Sequence, residues 1–192
     1  MKTINILLSG VGGQGVILAS KILSEAALLQ GLDIKQSEVH GMSQRGGSVV
    51  SHIRIGDLVH SPLVPEGGCD LLVGFEPLEA LRFAHWVRRE GILIYSVNRI
   101  NPSTVSAGFA QYPADLEARL AAYPCTKIAV PADELAEKTG NRRSANVVLV
   151  GALAHRLSFP EEIWQKALAA SMPAKLLDLN REAFRLGREV RG

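Results

Sequence analysis

Cysteine is nearly absent. Cys69 and Cys125 are the whole supply, and they lie too far apart for a metal-ligand spacing. Two thiols cannot ligate a cubane iron–sulfur cluster, which usually takes four. Their scarcity fits a reducing compartment with both thiols unpaired. Aromatic residues make up only 5% of the chain, too few for a base-stacking platform. The formal net charge is +2 and Lys and Arg form no run, so nucleic acid is not indicated as a partner. No stretch approaches the roughly 20 uninterrupted apolar residues of a membrane helix. Lys2 leads straight into a strand-length apolar segment ending in glycines, unlike a signal peptide. A cytoplasmic protein without membrane contacts is expected. The five histidines are scattered with no H-x-x-x-H pair, so no metal site is expected.

What is present is an ordinary globular composition. The chain has 192 residues, 47% of them apolar, which suits one domain over 1–192 with a sizeable core. Strand-like segments (INILLS, DIKQSEV, CDLLVGF, GILIYSV, TKIAV) alternate with helix patterns at 16–29, 77–89 and after Pro131. VVSHIRI and LVHS flank Gly56-Asp57 and read as a β-hairpin. The last third is helical: residues 145–157 are nearly all apolar, Ser158-Phe-Pro-Glu161 has the form of a capping box, and a final helix is expected over about 175–189. Such alternation predicts an α/β fold. It is a three-layer α/β/α sandwich around a mostly parallel sheet, with a β-hairpin extension and a helical C-terminal third.

Two loops stand out for chemistry. In LSGVGGQGVILA, Gly10, Gly12 and Gly15 fit G-x-G-x-x-G between a strand and a helix, with Gly13 and Gln14 inside the loop. Glycine lets a backbone approach a ligand closely, and the following helix N-terminus offers N–H groups to an anion. The acid expected to receive a dinucleotide ribose is poorly placed, since Glu38 falls about eight residues beyond the usual spacing. A tight turn that only packs helix on strand is the structural alternative.

The second loop, in SEVHGMSQRGGSVV, gathers Glu38, His40, Ser43, Gln44, Arg45, Gly46 and Gly47 at the carboxyl end of the second strand. Open α/β sheets bind ligands at that edge. Arg45 is a planar donor suited to phosphate or carboxylate. A solvated surface loop is the alternative here. No catalytic residue is assigned: Cys69 and Cys125 read as inert core thiols, and Arg181, Arg185 and Arg188 as a solvated stripe on one helix face.

GVGGQGV, SEVHGMSQRGGSVVSHIRIGD, SPLVPEGGCDLLVGFEPLEALR, NRRSANVVLVGAL and NREAFRLGR follow one another along essentially the whole chain. In that order they resemble the gamma-type component of 2-oxoacid:ferredoxin oxidoreductases, most closely the beta subunits of the indolepyruvate branch. The resemblance implies oxidative decarboxylation of arylpyruvates to acyl-coenzyme A with electrons passed to ferredoxin. It also implies that thiamine diphosphate and the iron–sulfur clusters sit on a larger partner subunit, because this chain lacks the residues for either. Gly56-Asp57-Leu58, its nearest match to a thiamine G-D-G motif, misses the second glycine.

What the resemblance implies for this chain is contact with coenzyme A at Gly10, Gly12, Gly13, Gln14 and Gly15. The loop from Glu38 to Gly47 would reach the shared active site or the subunit contact. Ferredoxin is met only through the complex. The isolated chain is expected to self-associate through Val49–His60 or the adjoining glycine loop. Two rival readings are a self-sufficient NAD- or FAD-binding oxidoreductase and a non-catalytic assembly module.

Overall fold

The computed structural model describes residues 2–40 and 46–191. In chain order the elements are β1 (Ile4–Val11), α1 (Val16–Leu29), β2 (Asp33–His40), β3 (Ser48–Gly56), β4 (Cys69–Gly74) and α2 (Pro77–Phe83). Then come β5 (Val87–Ser96), α3 (Ser103–Ser106), α4 (Leu116–Ala121), β6 (Thr126–Val130), α5 (Ala132–Glu137), α6 (Ala145–Ala154), α7 (Glu161–Ser171) and α8 (Leu177–Arg188). No helix among the described residues is long and apolar enough to cross a membrane.

The strands form one six-stranded sheet in the order β2-β3-β1-β4-β5-β6. β1, β4, β5 and β6 are mutually parallel, while β3 runs antiparallel between β1 and β2. Successive side chains of a strand point to opposite faces, and the central strands are apolar on both. Ile6 and Leu8 of β1 join the core under α1, α6, α7 and α8, whereas Leu7 faces the opposite core with α2 and α4. Leu71, Val73 and Leu72 of β4 divide in the same way. Helices cover both faces, as continuous apolar strands require, and the three layers follow.

Several local expectations shift. The hairpin is not at Gly56-Asp57. It is the β2–β3 pair at the sheet edge, paired from Asp33↔Gly56 to His40↔Val49, and residues 57–68 continue as a loop. The reason lies in SVVSHIRIG, where Val49, Val50, Ile53 and Ile55 are all buried. A strand apolar on both faces needs cover on both, and β3 finds it inside the sheet, between β1 and β2, instead of hanging from it. The same burial removes residues 49–56 as a self-association surface. The helix expected over 77–89 ends at Phe83, and Val87 begins β5 beyond a single 3-10 turn. Pro160 stands at the N-cap of α7, which has no side-chain cap bond, so Ser158 and Glu161 do not close a capping box.

Burial gives β3 a pH dependence. His52 is buried in β3; its Nδ1 accepts the Val64 N–H at 3.3 Å, and its ring meets Trp86 edge-on at 5.3 Å. Desolvation holds its pKa below the ordinary imidazole value. The unfolded chain therefore takes up the proton first, and stability is full above about pH 6.5 and falls as the pH drops toward the lower folded value. The urea midpoint is expected to fall between pH 7 and pH 5.5. His155 is also lowered, by burial and by Arg191, Arg156 and Arg188, so the His52 share is the part of the slope that His52→Gln removes. A slope identical in that variant refutes the assignment.

Candidate functional site

β1 ends in the glycine turn, and the turn is held from inside. The Gln14 amide bridges it: Oε1 accepts the Val11 N–H at 2.7 Å, and Nε2 donates to the Phe75 carbonyl at 2.8 Å. Gln14 N donates to Val11 O at 3.1 Å. Gly10 allows the strand and helix to close, since a Cβ there would lie 2.9 Å from both Phe75 Cβ and Val16 Cγ2. Gly15 is the N-cap of α1 at φ 80°, a left-handed conformation that other residues adopt at a cost. A Cβ on Gly15 would also fall 2.4 Å from Asn146 Nδ2. Gly13, at φ 105°, has nothing within 4 Å of its Cβ position and faces open space.

The two loops singled out in the sequence meet. Gly12 N donates to Gly47 O at 2.8 Å, and Gly46 N to Gly12 O at 3.4 Å. β2 runs in the same direction as β1, so the second loop lies at the carboxyl edge; Gly10, Val49 and His40 stand level across the sheet. Ser43, Gln44 and Arg45 lie outside the described residues. Glu38 lies lower on β2, where it accepts the Ser20 hydroxyl of α1 at 3.1 Å. The antiparallel β3 separates it from β1. It is therefore not where a dinucleotide-binding fold keeps its ribose acid, on the strand next to β1.

The parallel strands β1 and β4 are neighbours whose helices, α1 and α2, pack on opposite faces. The crevice between their carboxyl ends is where such sheets bind ligands. Here it opens into a cleft of 820 Å³, lined by Gly13, Gln14 and Gly15 of the turn, Phe75 and Ser96 at the strand ends, and Asp133, Arg142, Arg143 and Asn146. Arg142 is bound to Asp133, its Nε at 2.8 Å, and that pairing keeps its pKa raised. Arg143 is exposed at the rim. Asn146 is buried, with Oδ1 accepting Val147 N at 3.0 Å and Nδ2 donating to Gly15 O at 3.4 Å. The first turns of α1 and α6 both border the cleft, adding partial positive charge. Behind the turn an apolar recess of 490 Å³ is lined by Val11, Val16, Ile17 and Val49.

The arrangement suits a polyanion. Val11, Gly12 and Gln14 use their backbone N–H groups inside the protein, so an anion would be met by Gly13, Gly15 and the first turn of α1. Arg142, Arg143 and Asn146 are not among the site residues that the sequence points to. The signal was NRRSAN, cationic and polar residues at the start of an apolar helix, but its contact with Gly15 spans 131 residues. The thiols lie elsewhere: Cys69 and Cys125 are free, both belong to the core under α2 and α4, and burial pushes the Cys69 thiol up to about 12.

Residues 5–190 match the pyruvate ferredoxin/flavodoxin oxidoreductase family. Indolepyruvate oxidoreductase subunit IorB of Archaeoglobus fulgidus is 42% identical over 96% of this chain and 93% of its own length. Subunit IorB of Thermococcus kodakarensis is 41% identical over 97% and 95%. Among solved structures, the gamma subunit of keto/oxoacid ferredoxin oxidoreductase from Geobacter sulfurreducens superimposes with a TM-score of 0.72. It is 27% identical and covers 97% of this chain and 96% of that one.

Proposed function

Because the chain belongs to the pyruvate ferredoxin/flavodoxin oxidoreductase family, we propose that it is the small subunit of an indolepyruvate:ferredoxin oxidoreductase. In this reading a larger subunit carries thiamine diphosphate and the iron–sulfur clusters and passes electrons to ferredoxin in the cytoplasm. Coenzyme A supplies the thiol that accepts the acyl group. This chain contributes a share of the coenzyme A site.

The observation that carries the proposal is the polar cleft against the glycine turn. A pyrophosphate suits N–H groups at a helix N-terminus. Gly13, Gly15 and the first turn of α1 supply such groups, and Arg143 adds positive charge at the rim, beside Arg142 in its pair with Asp133. Gly10, Gly12 and Gln14 shape the turn from within. Arg45 is the cation of the neighbouring loop, whose root at Gly46 and Gly47 is bonded to Gly12. Glu38, His40, Ser43 and Gln44 complete the loop that would face the partner or its substrate. The NAD or FAD alternative is weakened by β3, which displaces Glu38 from β1.

The test is Arg45→Lys in the complex rebuilt with the larger subunit. A guanidinium fork becomes a point charge, and losing one charge-assisted hydrogen bond is worth roughly 1.5–3 kcal/mol, about 10- to 150-fold. Coenzyme A dependence is expected to weaken by that factor while indolepyruvate remains the substrate. A loss confined to subunit affinity would instead favour the assembly module. Parent values of turnover, coenzyme A dependence and subunit affinity would remove Arg45 from the site.

A further inference from the structure

The stretch Phe75 to Glu79, just past β4, is bonded to the glycine turn from several directions. Phe75 O receives the Gln14 amide at 2.8 Å, and Phe75 N donates to Ser9 O at 2.7 Å. The Ser9 hydroxyl in turn donates to Glu79 O at 3.2 Å. Glu76 uses its carboxylate on the backbone of α2, accepting Leu78 N at 2.7 Å and Glu79 N at 3.1 Å, and receives the Tyr112 hydroxyl at 2.6 Å. Those bonds account for Glu76. They leave Glu79, a second carboxylate, only 3% exposed, on the first turn of α2.

A buried carboxylate carries a large desolvation penalty unless it is well bonded. Glu79 Oε2 accepts the Ser48 hydroxyl, and Oε1 accepts Arg82 Nε at 3.2 Å. Arg82 lies on the same helix, so that contact is local. Ser48 is not local. It is the first residue of β3 and follows Gly46-Gly47, the pair bonded to Gly12 through Gly47 O and Gly46 N. Glycines lose the most conformational freedom on ordering, so a run of Gly46, Gly47, Gly12 and Gly13 needs an external anchor to stay in one geometry. Ser48 is where a charged acceptor grips it.

We propose that Glu79 is a positioning residue for the glycine turn: through Ser48 it fixes Gly46-Gly47, and through the Gly47 carbonyl it fixes Gly12 and the open Gly13 beside it. It touches no ligand; its effect is to hold N–H donors ready. The proposal rests on reading the turn as part of a coenzyme A site.

The experiment compares Ser48→Ala, Glu79→Gln and Ser48→Thr in the rebuilt complex. Coenzyme A binding is measured by calorimetry with no 2-oxoacid present, and KM is measured separately for coenzyme A and for indolepyruvate. Ser48→Ala is expected to raise the coenzyme A Kd and KM about tenfold, the scale of one charge-assisted hydrogen bond, and to leave the indolepyruvate KM unchanged. Glu79→Gln, a neutral acceptor, should move both in the same direction by less, and Ser48→Thr should restore them. Parent coenzyme A constants in Ser48→Ala overturn the proposal, even with a lowered unfolding midpoint, because the contact would then be structural only. An equal rise in both KM values also overturns it. A parent complex that binds no coenzyme A removes the cofactor reading and this proposal together, whereas normal parent binding with silent variants removes only this one.

Discussion

Gly187→Ala is expected to unfold about 4–12 °C below the parent chain, although alanine is the better helix former. Gly187 lies in α8, and a Cβ there would sit 1.9 Å from the Val148 carbonyl oxygen and 2.8 Å from its carbon. The reciprocal contact is as tight: a Cβ on Gly151 of α6 would fall 2.2 Å from Phe184 O. The two helices therefore meet backbone to backbone. Neither wall is a flexible side chain that could turn aside, so α8 must lift from α6. Phe184 would move with it, and Trp164, whose ring centroid lies 5.5 Å from that of Phe184, would lose part of its packing.

Helix propensity alone would favour alanine by up to about 1 kcal/mol. Overpacking typically costs 1–3 kcal/mol, and a backbone wall puts it at or above the upper end. The net loss is about 2–3 kcal/mol, and for a domain of this size each kcal/mol shifts the midpoint by about 2–4 °C. Thermal melts followed by circular dichroism measure it. Arg181→Ala, on the half-exposed face of the same helix, serves as the control and should stay within about 0.5 kcal/mol of the parent. A midpoint for Gly187→Ala at or above the parent value would show that α6 and α8 do not pack as described.

That crossing was invisible in the sequence, where Gly187 is one small residue in a charged helix. What the sequence shows well is local. α1 spans Val16–Leu29 because glycines open it and Gln30-Gly31 closes it, and both signals are contiguous. The core strands are legible in INILLS and CDLLVG, through Ile6-Leu7-Leu8 and Leu71-Leu72-Val73. Gly56-Asp57 misled because turn residues register only that the chain can bend. Whether the flanking runs pair with each other is decided by how much of each face must be covered.

At β5, VRRE carries charges that suggest a helix. In the sheet Arg88 meets Asp70 at 2.7 Å, a partner on β4 that no helical spacing would reveal. The candidate site divides along the same line. Both glycine loops could be read, since each is a short run with its own chemistry. Their contact through Gly12 and Gly47, and the approach of Arg142, Arg143 and Asn146 to the same cleft, are products of the tertiary fold. Strand order depends on pairings between distant segments, of which a single sequence carries little trace.

The largest functional effect is expected from mixing. Purified alone, the chain should reduce no viologen dye or ferredoxin with indolepyruvate above a protein-free blank, and turnover should appear when the larger subunit is added. The electrons of a 2-oxoacid oxidation must leave through a redox centre, and the cluster chemistry of such enzymes needs sets of thiolates. This chain offers two thiols. One of them, Cys69, is buried with its pKa pushed up to about 12, far from the thiolate that ligation requires. The thiamine motif is also incomplete, since Leu58 stands where its second glycine would be.

What the described residues do hold is a polar cleft beside the glycine turn, lined by Arg143 and by an Arg142–Asp133 pair. Coenzyme A binding to the complex should therefore weaken when Arg142 and Arg143 are replaced together by Gln, while dye reduction that precedes acyl transfer persists. Robust oxidation of indolepyruvate by this chain without a partner would overturn the subunit assignment, whatever its resemblance to IorB.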